Sequence, residues 1–335
     1  MSHTSLTSPA VEQVFPGIYR MELPLPWELE TVNVYLVRLE EGFLLVDSGI
    51  GTADCFEAMR SGLDGLGVGF RDVRQIFLTH FHPDHAGLAA RIQKLSGASL
   101  WMHSKEMEAL RVIGEPEKAA AAGDPALNAA GVPPELHLRI RKVLAEIRVD
   151  ARELLPNRFV SGGESIPTAL GPLEVISTPG HSPGHVCLYQ RERQIFFSGD
   201  HILPEITPNI SWLEDEDPLS DYLSSLRRVG ELEMELVLPA HGQPFRGHRG
   251  WTQRTLGHHE ERCARIRELL GGQSSTAHEL ALAMWRRELA PLHHFFAVME
   301  VLAHLEYMRR RGEVSLSRAG GGCLRWTAGP SRLDP

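Results

Sequence analysis

The sequence THFHPDHAG, residues 79–87, places four side chains of metal-ligand type within six positions: His80, His82, Asp84 and His85. It follows the apolar run QIFLT, which predicts a buried strand that ends where the cluster begins. A turn that leaves a strand end directs alternate side chains towards one point, and imidazole with carboxylate suits zinc and similar divalent ions. A solvated polar turn is the competing interpretation, and the density of ligand-type residues argues against it.

Three further apolar runs end in the same way. They are LEVISTPGH, which ends at His181, QIFFSGD, which ends at Asp200, and ELVLPAH, which ends at His241. Each is weak evidence alone, because a histidine or an aspartate at a strand end is common. Together the four strand ends supply seven ligands, enough for two metal ions that each keep an open or water-filled position.

The order H-x-H-x-D-H, TPGH, SGD and PAHG resembles the metallo-β-lactamase superfamily over roughly residues 12–245. The resemblance implies an α/β fold, an αββα sandwich with its site at one edge. It also implies two metal sites and two catalytic aspartates, with these roles: His80, His82 and His181 bind one metal; Asp84, His85 and His241 bind the other; Asp200 bridges the two; Asp84 and Asp200 are catalytic. Asp47 in LLVDSG matches the acid that orients the ligands in that family.

The rest of the chain predicts two groups of strands with intervening helices, which favours two helix-covered sheets. Helices are predicted at 53–65, 86–95, 218–230, 250–270, 276–288 and 292–311. Residues 104–158 predict a helical insertion with an apolar stripe at Leu136, Ile140, Val143, Leu144 and Ile147. The insertion either packs on the surface of the body or caps the site. We expect a catalytic domain over 1–248 and a helical domain over 249–335, whose three helices and terminal hairpin look like a winged helix.

Charge and cysteine content narrow the expected surroundings of the protein. The net charge is −9 over 335 residues, but residues 249–335 carry 13 basic and 9 acidic side chains, so the first 248 residues are strongly acidic. An acidic body disfavours nucleic acid as a partner, while the mildly basic tail leaves a local contact open. Four scattered cysteines and no secretory signal predict reduced thiols in a cytoplasmic protein, and no apolar run approaches the ~18 residues of a membrane span.

Differences from particular branches of the superfamily narrow the choice of reaction. The antibiotic-cleaving members lack the bridging aspartate and usually use a cysteine ligand, so Asp200 disfavours β-lactam cleavage. The flavodiiron branch has glutamate where His82 stands, and homoserine-lactone hydrolases have tyrosine where Leu203 stands. The pattern is most similar to glyoxalase II-like thioester hydrolases and to a lactamase-beta-like group that ends in a winged helix. That group includes polyketide thioesterases and an endoribonuclease.

We therefore expect a dinuclear zinc hydrolase that cleaves a small-molecule acyl ester, with a thioester favoured, through a hydroxide that bridges two metals. The ligands would also accept Mn²⁺ or Fe²⁺. A phosphodiesterase or endoribonuclease and a lactonase are the alternatives, and a non-catalytic DNA-binding regulator ranks last. No membrane partner is expected, and a homodimer stays open.

Segments 104–158 and 203–217 are expected to wall the pocket, with apolar contacts from Ile206, Ile210 and Trp212. His185 and His201 lie beside the site motifs, and the sequence leaves their direction open. The pairs His258–His259 and His293–His294 are interpreted as surface residues, because no partner cluster accompanies them.

Overall fold

The computed structural model describes residues 11–113, 125–146, 149, 152–285 and 289–329, and two facing sheets form its centre. The first sheet has its strands in chain order: β1 Val11–Phe15, β2 Ile18–Pro24, β3 Thr31–Arg38, β4 Phe43–Val46, β5 Val73–Phe77, β6 Ser99–His103 and β7 Arg158–Val160. The second has the order β12-β11-β10-β9-β8: β8 Ser165–Ile166, β9 Leu173–Ser177, β10 Val186–Gln190, β11 Ile195–Gly199 and β12 Leu236–Pro239. A hairpin of β13 Val314–Arg318 and β14 Leu324–Ala328 lies near the C-terminus.

Helices cover both sheets and form the C-terminal part. They are α1 Ala53–Gly65, α2 Pro83–Ala86, α3 Ala89–Ser96, α4 Ser104–Ile113, α5 Pro134–Glu146, α6 Pro218–Gly230, α7 His248–Leu270, α8 Ala277–Met284 and α9 Pro291–Arg310. The predicted bounds of α1 and α6 are confirmed. The helix predicted at 86–95 is instead two helices, α2 and α3, separated by Gly87 and Leu88. Among the described residues, no helix is both long and apolar enough to cross a bilayer.

The apolar layers explain why the strands are hydrophobic on both faces. In β3, Val34 packs into a cluster with α1 and α3, while Tyr35 packs between the two sheets. In β11, Phe197 faces the inter-sheet layer and Phe196 faces a cluster with α6. Because side chains alternate along a strand, a strand with helices on one side and a sheet on the other must be apolar throughout. The αββα class predicted above is confirmed.

Two pairs of parallel strands bring the polar strand ends to one edge of the sandwich. β4 pairs in parallel with β5, and β11 pairs in parallel with β12. Gly199, the last residue of β11, has a φ of +50°, and a Cβ there would lie 2.8 Å from Nε2 of His185. The chain can therefore turn into Asp200 at this edge only with glycine at that position.

The C-terminal helices have a core of their own, and part of the insertion belongs to it. Leu127, Ala130 and Ile140 are buried against α7, α8, α9 and the hairpin, and the amide of His278 donates to the carbonyl of Ala130. α4 instead packs on the first sheet. In its described part beyond α4, the insertion thus packs on the C-terminal helices. Ile147 lies outside the described residues, and the winged-helix topology and the domain boundary at 248 stay predictions. The four cysteines are unpaired, as expected.

Candidate metal centre

A first group of ligand-type atoms converges from three segments of the chain. Nδ1 of His82 lies 3.0 Å from Nε2 of His80 and 3.0 Å from Nε2 of His181. Oδ2 of Asp200 lies 3.4 Å from Nε2 of His181. Tetrahedral zinc with bonds of about 2.0–2.1 Å would separate its ligands by roughly 3.4 Å, so this spacing fits one ion.

A second group lies on the other side of Asp200. Nε2 of His241 is 3.3 Å from Oδ2 of Asp84 and 3.5 Å from Oδ1 of Asp200. Nε2 of His85 is also 3.5 Å from Oδ1 of Asp200. One carboxylate oxygen of Asp200 thus faces each group, which is the arrangement that a bridging ligand requires. The structure brings all seven predicted ligands together in these two groups.

The outward nitrogens of the histidines are held by fixed acceptors. Nδ1 of His181 donates to the backbone oxygen of Asn209 at 2.8 Å, and Nδ1 of His241 donates to that of Thr31 at 3.0 Å. These bonds fix the direction of the two rings, so that Nε2 of each ring faces the centre.

Asp47 supports one histidine of each group. Its Oδ2 accepts from Nδ1 of His85 at 2.9 Å and from Oγ1 of Thr79 at 2.9 Å. Oγ1 of Thr79 in turn lies 3.0 Å from Nδ1 of His80 and accepts from it. The orienting position that the resemblance implies for Asp47 therefore fits the structure.

The electrostatics of the centre favour a bound cation. Burial, with the neighbouring imidazoles, holds the pKa of His80 well below its ordinary value, and burial lowers the pKa of His82 to about 3. Burial opposes ionisation of Asp200, but His241 and His85 hold the pKa of its carboxyl well below the usual range. Burial also opposes the charged forms of His85 and His241, but Asp200 and Asp84 raise the pKa of both rings. Because only neutral imidazole and ionised carboxylate bind metal, these two rings would release a proton when an ion binds.

Unsatisfied atoms provide a separate test of fit. Nε2 of His85 and Oδ1 of Asp200 are buried without a hydrogen-bond partner, although buried polar atoms are normally paired. Nδ1 of His82 and Nε2 of His80 and His181 lie 3.0–3.3 Å from one another, close to the spacing of ligands around one ion. A cation at each group would satisfy these atoms, so the residues fit two metal ions.

Residues flanking the motifs have mixed outcomes. His185 is fully buried with its ring beside that of His80, and His201 is fully buried against Tyr222. Ile210 lies in the cluster under α6, so its predicted role as a substrate contact is wrong for this conformation. Ile206 is 43% exposed and is free to make such a contact.

Two of the histidines predicted at the surface are buried instead. His259 is 1% exposed with Nδ1 3.1 Å from Nε2 of His304, and Nε2 of His294 lies 2.9 Å from Nδ1 of His278. Each of these two rings forms a hydrogen bond, through one of its nitrogens, with a histidine of a neighbouring helix. The interpretation as surface residues is wrong for these two.

Glu106 was not anticipated from the sequence. It lies in the first turn of α4 and is 0% exposed, although no lysine or arginine pairs with it in the described structure. Burial raises its pKa to about 7, while hydrogen bonds from Gly184, Ser182 and Phe81 oppose that rise. Glu106 lies three residues after the predicted strand 99–103, and no spacing pattern in the sequence marks it as part of the site.

Comparisons with known proteins agree with this geometry. Residues 27–241 match the family model described as "Metallo-beta-lactamase superfamily", and residues 263–329 match "Metallo-beta-lactamase-like, C-terminal domain". "Probable metallo-hydrolase YqjP" of Bacillus subtilis is 27% identical over 318 residues, which are 87% of this chain and 92% of that protein. "Acyl-coenzyme A thioesterase MBLAC2" of Gallus gallus is 30% identical over 222 residues, 64% of this chain and 73% of that protein. The crystal structure of metallo-beta-lactamase family protein TTHA1429 from Thermus thermophilus superposes with a TM-score of 0.83 at 32% identity, covering 94% of this chain and 100% of that one.

Proposed function

Because the chain belongs to the metallo-β-lactamase superfamily and is a metallo-hydrolase of that fold, we propose that it hydrolyses acyl thioesters at a dinuclear centre. The proposal depends mainly on the position of the Asp200 carboxylate between the two groups. Its Oδ1 lies near His85 and His241, and its Oδ2 lies near His181. Similarity to a relative named as an acyl-coenzyme A thioesterase supports the substrate class. Zinc is the proposed ion, with Mn²⁺ or Fe²⁺ as alternatives.

The residues of the chain would hold the ions and balance their charge. When bound, two divalent cations supply an acidified water molecule as nucleophile and a Lewis acid for the thioester carbonyl. Asp84 and Asp200 bring negative charge between and beside the two groups, which offsets repulsion between like cations. The acceptors behind His85, His181 and His241 fix the ring orientations, so little rearrangement is needed during the reaction.

Exposed apolar side chains on segments tied to the ligands favour an acyl group as substrate. Leu29 is 38% exposed and lies two residues before Thr31, whose carbonyl holds His241. Phe296 is 37% exposed, and its carbonyl accepts from the side chain of Asn209, whose own carbonyl holds His181. Ile206 lies on the same loop as Asn209. We infer that these side chains line the approach to the centre, with α9 contributing to it.

A hydrolysis screen of the metal-loaded protein tests the proposal. Acyl-coenzyme A esters of increasing chain length, lactones, aryl esters and a simple phosphodiester are compared by kcat/KM, and metal content is measured on the same samples. Thioesters should be the best substrates, and Phe296→Ala should reduce the preference for long acyl chains. Leu282→Ala, a change at another exposed apolar side chain, on α8, is the matched control.

The same screen contains the results that would contradict the proposal. Faster turnover of lactones than of thioesters would favour a lactonase. Turnover of the phosphodiester would favour a nuclease, and binding of short RNA that weakens steeply with added salt would support that result, because phosphate contacts release counterions. Equal chain-length profiles for Phe296→Ala and the unchanged protein would remove α9 from the acyl site.

A further inference from the structure

Glu106 joins two segments that carry predicted ligands of the first metal group. Its Oε2 accepts from the backbone amide of Phe81 at 2.8 Å. Its Oε1 accepts from Oγ of Ser182 at 2.9 Å and from the backbone amide of Gly184. Phe81 lies between His80 and His82 in sequence, and Ser182 directly follows His181.

The surroundings of Glu106 favour a side chain that accepts hydrogen bonds at both of its terminal atoms. Three donors converge on its two oxygens, and the side chain is excluded from water. A Cβ at Gly184 would lie 2.6 Å from Nδ1 of His103 and 3.0 Å from Oε1 of Glu106, so only glycine lets that segment approach so closely. A carboxylate can accept several hydrogen bonds at once, whereas an amide of the same shape presents one oxygen and two N–H donors.

We propose that Glu106 is a positioning residue that fixes His80 and His82 relative to His181, and so sets the geometry and affinity of the first metal group. The inference rests on the proposed metal centre, but it does not depend on the substrate being a thioester. Asp47 reaches the centre through His85 and Thr79, and none of its hydrogen bonds within the described part of the chain goes to the segment with His181. Outside the ligand set, Glu106 is thus the acidic side chain, among the described residues, that accepts hydrogen bonds from both of these ligand segments.

Glu106→Gln tests this role with almost no change in side-chain size. The amide group would point N–H donors at the amide of Phe81 or at Ser182 and Gly184, so at least one contact must break. Co²⁺ titration followed by absorption spectroscopy should show the affinity of one site falling by about 10- to 100-fold, the usual cost of losing an outer hydrogen-bond partner, while the other site is retained. kcat should fall with KM nearly unchanged, since Glu106 does not lie in the substrate approach. Glu108→Gln, an exposed change on the same helix, is the matched control.

Amide hydrogen exchange on the metal-free protein gives a second readout that needs no ion. The amides of Phe81 and Gly184 should exchange slowly in the unchanged protein and in Glu108→Gln, and faster in Glu106→Gln. Unchanged exchange and metal affinity in Glu106→Gln would overturn the proposal, as would an equal loss of affinity at both sites. If Glu106→Gln does not fold, Ser182→Ala decides: weaker Co²⁺ binding at one site supports the role, and unaltered binding overturns it. Should the unchanged protein bind no Co²⁺, the proposed centre fails, and exchange at Phe81 and Gly184 still reports on Glu106.

Discussion

Nδ1 of His181 lies 2.8 Å from the backbone oxygen of Asn209, and this bond connects a ligand-type histidine of the sandwich to the C-terminal helices. The side-chain amide of Asn209 donates to the backbone oxygen of Phe296 in α9 at 3.1 Å. The loop that orients His181 is therefore itself held by α9. Since a histidine ligand keeps its direction only as well as its acceptor does, α9 contributes to the geometry of the centre without supplying a ligand.

Asn209→Ala tests whether the bond to α9 matters for the orientation of His181. The backbone oxygen that accepts from His181 stays, but the bond to Phe296 is lost. We expect kcat to fall by up to about 10-fold, at the low end of the effects of outer hydrogen-bond partners. Unfolding free energy should fall by only about 1–2 kcal/mol, because the partly exposed hydrogen bonds to Phe296 and from Ser211 are both lost. Steady-state kinetics and urea unfolding measure both effects. Asn128→Ala, an exposed change outside the site, is the control, and equal kcat values for the two variants would argue against the coupling.

Asp47→Asn should weaken both metal groups at once, in contrast to Glu106→Gln. Asp47 accepts directly from His85 and, through Thr79, supports His80. The amide keeps an acceptor at only one of the two oxygen positions, and it loses the negative charge that strengthens the bonds from His85 and Thr79. The support of one histidine in each group is therefore weakened. Metal affinity at both sites should fall by about 10- to 100-fold, measured by competition with a chelator. Asp54→Asn on the exposed start of α1 should leave both affinities unchanged. Loss confined to one group would contradict the shared role.

Asp200→Asn tests the bridge itself. The shape of the side chain is kept, but the charge that offsets repulsion between two cations is removed. We expect one ion to be lost, most readily from Asp84, His85 and His241, and activity to fall by more than the ~100-fold typical of an outer partner. Metal analysis, kinetics and circular dichroism are compared with Asp221→Asn on α6. Two tightly bound metals with near-normal turnover would show that Asp200 is not the bridge and that the two-metal mechanism is wrong.

The ligand set was predictable from the sequence, whereas the residues that hold it were only partly so. His80, His181, Asp200 and His241 each end an apolar run, and such strand ends can be recognised from the local sequence. Ligands bind where the carboxyl ends of parallel strands meet, so the location of the site could be predicted as well. Glu106 and Asn209 act on backbone groups far away in sequence: Glu106 contacts Gly184 across 78 residues, and Asn209 contacts Phe296 across 87. A lone glutamate or asparagine has no spacing pattern, so nothing local distinguishes it from a surface residue.

The buried histidines show a second limit of prediction from the sequence. His259 belongs to α7, a helix with a strongly polar sequence, and that polarity predicts a solvated position. α7 packs between α6, α9 and the hairpin, so even its polar residues can be enclosed. A polar residue can be enclosed when a partner is available, and the partner of His259 is His304 on α9. Pairing between helices is decided by tertiary packing, which the periodicity of one segment does not contain.

The pair His259–His304 predicts acid sensitivity of the C-terminal helices. Nδ1 of His304 donates to the backbone oxygen of Glu300 at 2.8 Å, so its Nε2 accepts from Nδ1 of His259, and both rings are neutral. Burial lowers the pKa of His259 to about 2 and that of His304 to about 3. In the unfolded chain both would have a pKa of about 6.5. Between these values the unfolded state binds more protons, so unfolding free energy decreases as the pH falls below about 6.5.

His259→Leu should remove part of this dependence. Each depressed histidine contributes a slope of up to about 1.4 kcal/mol per pH unit, or roughly 2 kcal/mol by about pH 5. Urea midpoints of the chelator-treated protein are measured from neutral to mildly acidic pH, and differences between variant and unchanged protein cancel the contribution of the metal-binding histidines. Leu282→Ala, a change at an exposed side chain of α8 that removes no titratable group, is the control and should leave the pH slope as it is. An identical pH slope in His259→Leu and the unchanged protein would mean that His259 takes up its proton equally well in the folded and unfolded states. The burial of His259 against His304 would then make no contribution to the pH dependence of the unfolding free energy.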